Sequence, residues 1–162
     1  MFRATFLALT LTALPALAQT VAFGGMRADT SAPVEVSADS LSVNQTDGTA
    51  LFQGNVVIGQ GAMRLSAQTV RVEYADSAGS GPQRRIRALD ASGGVVLVSG
   101  PDAAEAQSAR YEVDSGMVTL TGDVLLTQGS NVMSGDRVVV NLADGTAQAQ
   151  GRVRSVLQPG GN

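Results

Sequence analysis

The 162-residue sequence contains no histidine, cysteine, tryptophan or lysine, and its 11 basic residues are all arginine. Each absence removes a class of chemistry. Without His and Cys there is no Ser-His-Asp or Cys-His nucleophile, and no zinc site built on imidazole or thiolate. Without Lys there is no Schiff base and no P-loop. Aromatic residues make up 4% and charged residues 15% of the chain. The net charge of −3 argues against a nucleic-acid binder that works by neutralising phosphates. Only carboxylates remain as acid/base equipment, so no enzyme and no cofactor is expected. Glycine is plentiful, at 19 residues, and 44% of the chain is apolar, which suits many short strands and turns.

The first 18 residues read as a Sec-type signal peptide. Arg3 gives a positive start, residues 6–17 are apolar, and Ala16-Leu17-Ala18 is a small-x-small cleavage site. The apolar run is too short to span a bilayer comfortably, which takes about 20 residues. Cleavage after Ala18 and export are therefore expected. Residues 19–32 are small and polar and read as a flexible lead-in, 33–158 as one domain, and 159–162 as a disordered tail. No disulfide is available, so the domain's core must carry its stability unaided.

The domain repeats itself in period two, the mark of strands. One half-repeat is apolar-x-small-x-x-apolar-x-apolar. Its copies are Val36, Ala38, Leu41, Val43; Leu65, Ala67, Val70, Val72; Ala106, Ser108, Tyr111, Val113; and Met133, Gly135, Val138, Val140. The other half-repeat centres on glycine: Ala50, Phe52, Gly54, Val56, Ile58; Leu89, Ala91, Gly93, Val95, Leu97; and Val118, Leu120, Gly122, Val124, Leu126. Its last copy is Ala147, Ala149, Gly151, Val153. A one-residue slip in strand parity moves side chains to the other face, so the slip after the small residue predicts a bend or bulge in each repeat. The central glycines fall at inward parity, which predicts room between the sheets.

Turn signals such as Asp47-Gly48, Ser115-Gly116 and Asp144-Gly145 separate the halves. Parallel stacking of such units would give a β-solenoid; the Asp-Gly turns favour the antiparallel alternative. The expected fold is thus all-β: an open jelly roll of two facing antiparallel sheets built from repeated strand pairs, with open ends. A Gly-, Ser- and Pro-rich insertion at 75–85 reads as a surface loop. Asp39 and Asp136 hold equivalent places, with Gln68 and Ala109 at the other two, and read as bend formers rather than a catalytic pair.

Several stretches resemble the OstA-like (LptA) family of lipopolysaccharide-transport proteins. They are residues 36–43, Phe52-Gln53-Gly54-Asn55-Val56, Leu120-Thr121-Gly122-Asp123-Val124, Ser134-Gly135-Asp136-Arg137-Val138 and 144–153. The resemblance covers 33 to about 158. It implies a periplasmic carrier that shields lipid A acyl chains in an apolar groove between inner and outer membranes. The groove would be lined by the apolar positions of the repeats: Leu41, Val43, Phe52, Val56, Ile58, Leu65, Val70, Val72, Leu89, Val95, Leu97, Tyr111, Val113, Val118, Leu120, Val124, Leu126, Met133, Val138, Val140 and Val153. It also implies head-to-tail stacking with itself, with an LptC-like inner-membrane protein and with an LptD-like outer-membrane translocon. The edge strands offered to these partners would contain Val34 and Val36 at one end, and Val153 and Val156 at the other. Two further readings fit the same residues: a self-polymerising β-solenoid without lipid, and a membrane-anchored LptC-like partner whose residues 1–18 stay attached.

Overall fold

The computed structural model describes residues 26–75 and 85–159. The expected signal peptide and most of the insertion loop lie outside them. Among the described residues ten strands follow in order: β1 (Glu35–Ser37), β2 (Ser40–Asn44), β3 (Thr49–Gln60), β4 (Met63–Tyr74), β5 (Ile86–Ser99), β6 (Asp102–Glu112), β7 (Met117–Gln128), β8 (Asn131–Asn141), β9 (Thr146–Gln150) and β10 (Arg154–Val156). All neighbours are antiparallel, in the order β1-β3-β4-β5-β6-β7-β8-β10, with β2 also on β3 and β9 also on β8. Each terminal pair, β1 with β2 and β9 with β10, acts as one interrupted strand along an edge. The all-β antiparallel open fold read from the repeats is the one observed, although the two facing layers are halves of a single sheet.

The sheet is folded along a line of bulges. Register shifts fall at Gln53/Val56, Ser92/Val95 and Thr121/Val124, where two residues of one strand oppose one of its neighbour. The extra pairs are Gly54-Asn55, Gly93-Gly94 and Gly122-Asp123, all at positive φ, and Gly151-Arg152 repeats the conformation at the far edge. The first residue of each pair must be glycine for a second reason. A Cβ on Gly122 would stand 2.7 Å from Gln107 Oε1, and one on Gly54 would stand 2.5 Å from Asp39 Oδ2. The bend is therefore where the parity slip placed it. The glycines, however, do not act as inward spacers: their bare side meets the corner side chains Asp39, Gln68, Gln107 and Asp136.

These corner residues also bond across the bend. Asn55 Nδ2 donates to Asp39 Oδ2 at 2.9 Å, Gln107 Nε2 to Asp123 Oδ2 at 3.0 Å, and Arg152 Nη2 to Asp136 Oδ1 at 2.6 Å. Asp39 and Asp136 are thus bend residues, and their third equivalent is Gln107 rather than Ala109. The third half-repeat is likewise shifted by two residues: Ala104, Ala106, Ala109 and Tyr111 pair with the inward Leu97, Val95, Ala91 and Leu89. The run of alanines in β6 disguised the phase.

Folding at the bulges creates two arms. Arm I holds β2, β9 and the sections of β3–β8 that meet at turns 45–48, 113–116 and 142–145. Arm II holds β1, β10 and the sections that meet at turns 61–62, 100–101 and 129–130. The inward residues of both arms form one continuous core.

Candidate functional site

The interior between the arms collects most of the residues expected to line a groove. Val56, Ile58, Leu65, Val70, Val72, Leu89, Val95, Leu97, Tyr111, Val118, Leu120, Val124, Leu126, Met133, Val138 and Val140 are all buried there. Phe52 and Val113 are partly buried against them. Three expected lining residues are not covered: Leu41 is 54%, Val43 60% and Val153 50% exposed. Leu41 and Val43 pair with the inward Phe52 and Ala50, so they continue the interior row. They are bare because β2 is the last strand on its side. Val153 lies in the break between β9 and β10, past the last bulge. Burial therefore fades towards both ends of the stack, and the apolar row continues onto the edges.

The expected edge residues differ in setting. Val36 pairs with Ile58 in β1, and Val156 pairs with Val132 in β10. Val34 precedes β1 and packs partly on the core, whereas Val156 and Leu157 are exposed.

The two rims of the interior differ in chemistry. The last inward row of arm II runs in register through Gln60, Met63, Ser99, Asp102, Gln128 and Asn131, and is polar at all but Met63. Gln60, Ser99 and Asp102 are buried. The opposing rim of arm I carries Tyr74, Ile86, Val113 and Leu142, all packed on the core. Sequence reasoning passed over the polar row, yet its signal was there. Gln60, Ser99 and Gln128 each follow two inward apolar residues at the same parity.

Between the rims lies a strap, residues 26–34. These belong largely to the stretch expected to be a flexible lead-in, and the packing differs from that expectation. Met26 is buried in the core. On the arm II side, the Ser99 hydroxyl donates to the Arg27 carbonyl, and Gln60 Nε2 donates to the Thr30 carbonyl at 3.2 Å and the Ala32 carbonyl at 3.0 Å. On the arm I side, the Ala28 amide donates to the Leu142 carbonyl at 3.0 Å, and Arg27 Nε to the Asp144 carbonyl at 3.2 Å. Beneath the strap the Tyr111 hydroxyl, from arm I, donates to Gln60 Oε1 of arm II. Burial pushes the Tyr111 hydroxyl above its ordinary range, so it stays protonated as a donor. Asp102 is 2% exposed and neither carboxylate oxygen has a partner among the described residues, so burial pushes its carboxyl up as well.

Outside the interior, Arg85, Arg87, Arg110 and Arg152 are tied into ion pairs. Arg110 spans Asp90 at 2.7 Å and Glu73 at 3.3 Å, and its hydrogen bond holds the Glu73 carboxyl below its usual range. Arg64 donates to the carbonyls of Gly61 and Met63, at 2.7 and 2.8 Å. Such commitments leave these guanidinium groups less available for a bound phosphate.

The fold and its interior define an all-β jelly roll with an apolar core that runs out to exposed edges. Residues 35–146 match the family described as LptA/(LptD N-terminal domain) LPS transport protein, and the chain belongs to that family. It is 31% identical over 157 residues to uncharacterized protein R00383 of Rhizobium meliloti, covering 92% of this chain and 84% of that one. It is 25% identical over 153 residues to the lipopolysaccharide export system protein LptA of Escherichia coli, covering 88% and 80%. In three dimensions it is similar to LptH of Pseudomonas aeruginosa, with a TM-score of 0.70 at 21% identity over 82% of this chain and 99% of that one.

Proposed function

We propose that this protein carries lipopolysaccharide through the periplasm, holding the acyl chains of lipid A between its two arms. The observation that carries this reading is the continuous apolar interior whose inward row extends to the exposed Leu41 and Val43. The reading is supported by the family, by the E. coli relative named a lipopolysaccharide export protein, and by LptH, described as a periplasmic component of a lipopolysaccharide transport device. The work is physical rather than chemical. Each methylene kept from water is worth about 0.8 kcal/mol, so a multi-chain lipid crosses water slowly unless its chains stay covered. The sugars and phosphates remain in solvent. Because the interior is packed, the arms part about the corner bulges to admit the chains.

The edges supply the route onward. Among the described residues β1 and β10 have one unpaired side each, which suits strand addition by a neighbour of the same fold. An LptC-like inner-membrane protein at one end, an LptD-like translocon at the other, and further copies of this chain between them would align successive interiors. Lipid extraction and mass spectrometry of the protein purified from its native periplasm test the reading. Co-purified lipid A supports it; stacked but lipid-free protein, even after incubation with lipopolysaccharide, favours the lipid-free polymer instead. N-terminal sequencing of the exported chain separates a free carrier, starting at Gln19, from an anchored partner.

A further inference from the structure

The strap lies between the rims of the two arms, bonded to each. On one side of it are the arm II turns at 61–62 and 100–101, and on the other the arm I turns at 113–116 and 142–145. A Cβ on Gly61 would stand 3.4 Å from Asp29 Cβ, and one on Gly116 would stand 3.1 Å from Thr30 Cγ2, so the strap touches turns of both arms. Its hydrogen bonds are likewise shared: Ser99 and Gln60 hold it from arm II, and Leu142 and Asp144 hold it from arm I. Gln60 joins the two layers of this closure, since it bonds the strap above and Tyr111 below.

The placement of buried polar groups makes the strap more than a terminal segment that happens to pack. The buried polar side chains among the described residues are Gln60, Ser99 and Asp102, and all three stand in the single rim row of arm II. Two of the three are used to hold the strap, which gives them backbone carbonyls as partners. Asp102 is given none. A buried carboxylate without a donor is a costly arrangement. It marks a row whose hydrogen bonding is incomplete while the strap is in place.

We infer that the strap is a built-in latch. Residues 26–34 occupy the space between the rims through which the lipid's polar end must protrude, and they are displaced when lipid enters. The row Gln60, Ser99 and Asp102 then faces the hydroxyl- and amide-bearing sugar of the amphiphile, which offers the donors that Asp102 lacks. The strap's carbonyls are replaced at Gln60 and Ser99 by acceptors of the same sugar. Lipid and strap thus compete for one site, and each must leave for the other to bind. This rests on the interior being the lipid site.

The absence of native cysteine makes a direct test possible. Asp29→Cys with Gly61→Cys places two Cβ atoms close to the spacing of about 3.5–4.5 Å that disulfides require. The full exported chain carries this pair and a photo-reactive benzoylphenylalanine at Leu120, and the probe is purified rough lipopolysaccharide. The expected result is labelling in the reduced form and at least about ten-fold less in the oxidised form, reversed by reductant. Equal labelling in both forms overturns the latch while leaving the interior as the lipid site. No labelling of the cysteine-free control overturns the interior reading and the latch with it. Arg27→Ala, which removes the strap's own bond to the Asp144 carbonyl and leaves the rim row of Gln60, Ser99 and Asp102 intact, gives a second readout. Uptake about five-fold greater is expected from the loss of one hydrogen bond; unchanged or reduced uptake contradicts the latch.

Discussion

The Tyr111 hydroxyl and the Gln60 side-chain carbonyl meet across the interior and tie one arm of the folded sheet to the other. Tyr111 stands on β6 in arm I and pairs with Leu89; Gln60 ends β3 in arm II and pairs with Met63. The bond is buried, so removing one partner leaves the other without a substitute. Tyr111→Phe is expected to lower unfolding free energy by about 1–3 kcal/mol, because Gln60 Oε1 then has no donor. Urea denaturation measures this; a midpoint equal to the wild type would show that the clasp contributes nothing.

Asp102 has the opposite character, since its burial is unrewarded. Its carboxyl is pushed above the value of 3.8 it has when unfolded. A group raised in the folded state costs no stability below its unfolded pKa, and costs progressively more as pH rises through the folded one. Asp102→Asn is therefore expected to stabilise the protein at pH 7 and to have little effect near pH 3. Glu73, held low by Arg110, works the other way: its contribution is present at neutral pH and is lost as pH falls through its folded pKa. Denaturant midpoints of Asp102→Asn and wild type across pH 3–8 check the sign. A gain that is constant with pH would mean that charge on Asp102 is not the cause.

The corner glycines give a paired comparison. Gly122 has φ +86 with Gln107 atoms within 3 Å of a Cβ, whereas Gly100 has φ +57 and open space around it. Gly100→Ala is expected to cost about 1–2 kcal/mol for the left-handed backbone alone. Gly122→Ala should cost more, since Gln107 must also move and its bond to Asp123 is lost. Thermal melts of the two variants decide it. A Gly122 variant no less stable than the Gly100 variant would show that the corner does not depend on close approach.

The exposed ends carry the partner reading. Leu41→Asp on β2 changes a side chain that is largely in water, so its expected effect on folding is within about 0.5 kcal/mol. On end-to-end stacking the effect should be large, because a charge would then face the neighbouring interior without a partner. Sedimentation of concentrated protein follows the stacking. If Leu41→Asp assembles like the wild type, the β2 end is not a stacking surface.

The repeats made the antiparallel fold and the corner legible, because period-two alternation and a parity slip are local properties of the chain. What they could not supply was long-range. Ala104 and Ala106 could not be told from Ala106 and Ser108 as inward residues until pairing with Leu97 and Val95 fixed the phase. The glycines looked inward by parity, yet two successive left-handed residues turn their bare side towards the corner. Residues 26–32 have the composition of a free segment. Their order comes from Gln60, Ser99 and Leu142, which lie 28 or more positions away. The polar rim was visible only as an interruption of apolar parity, and its meaning appeared when five strands set those interruptions side by side.

The most direct measurement compares photo-crosslinking from two adjacent positions on β7. Leu120 points into the interior and is buried; Thr119 has the opposite parity and pairs outward with Arg110 and Val139. Benzoylphenylalanine at Leu120 should form lipopolysaccharide adducts in the cell envelope, and at Thr119 it should form few or none. Adducts at Thr119 with none at Leu120 would place the lipid on the outer face and contradict a carrier that holds acyl chains between its arms.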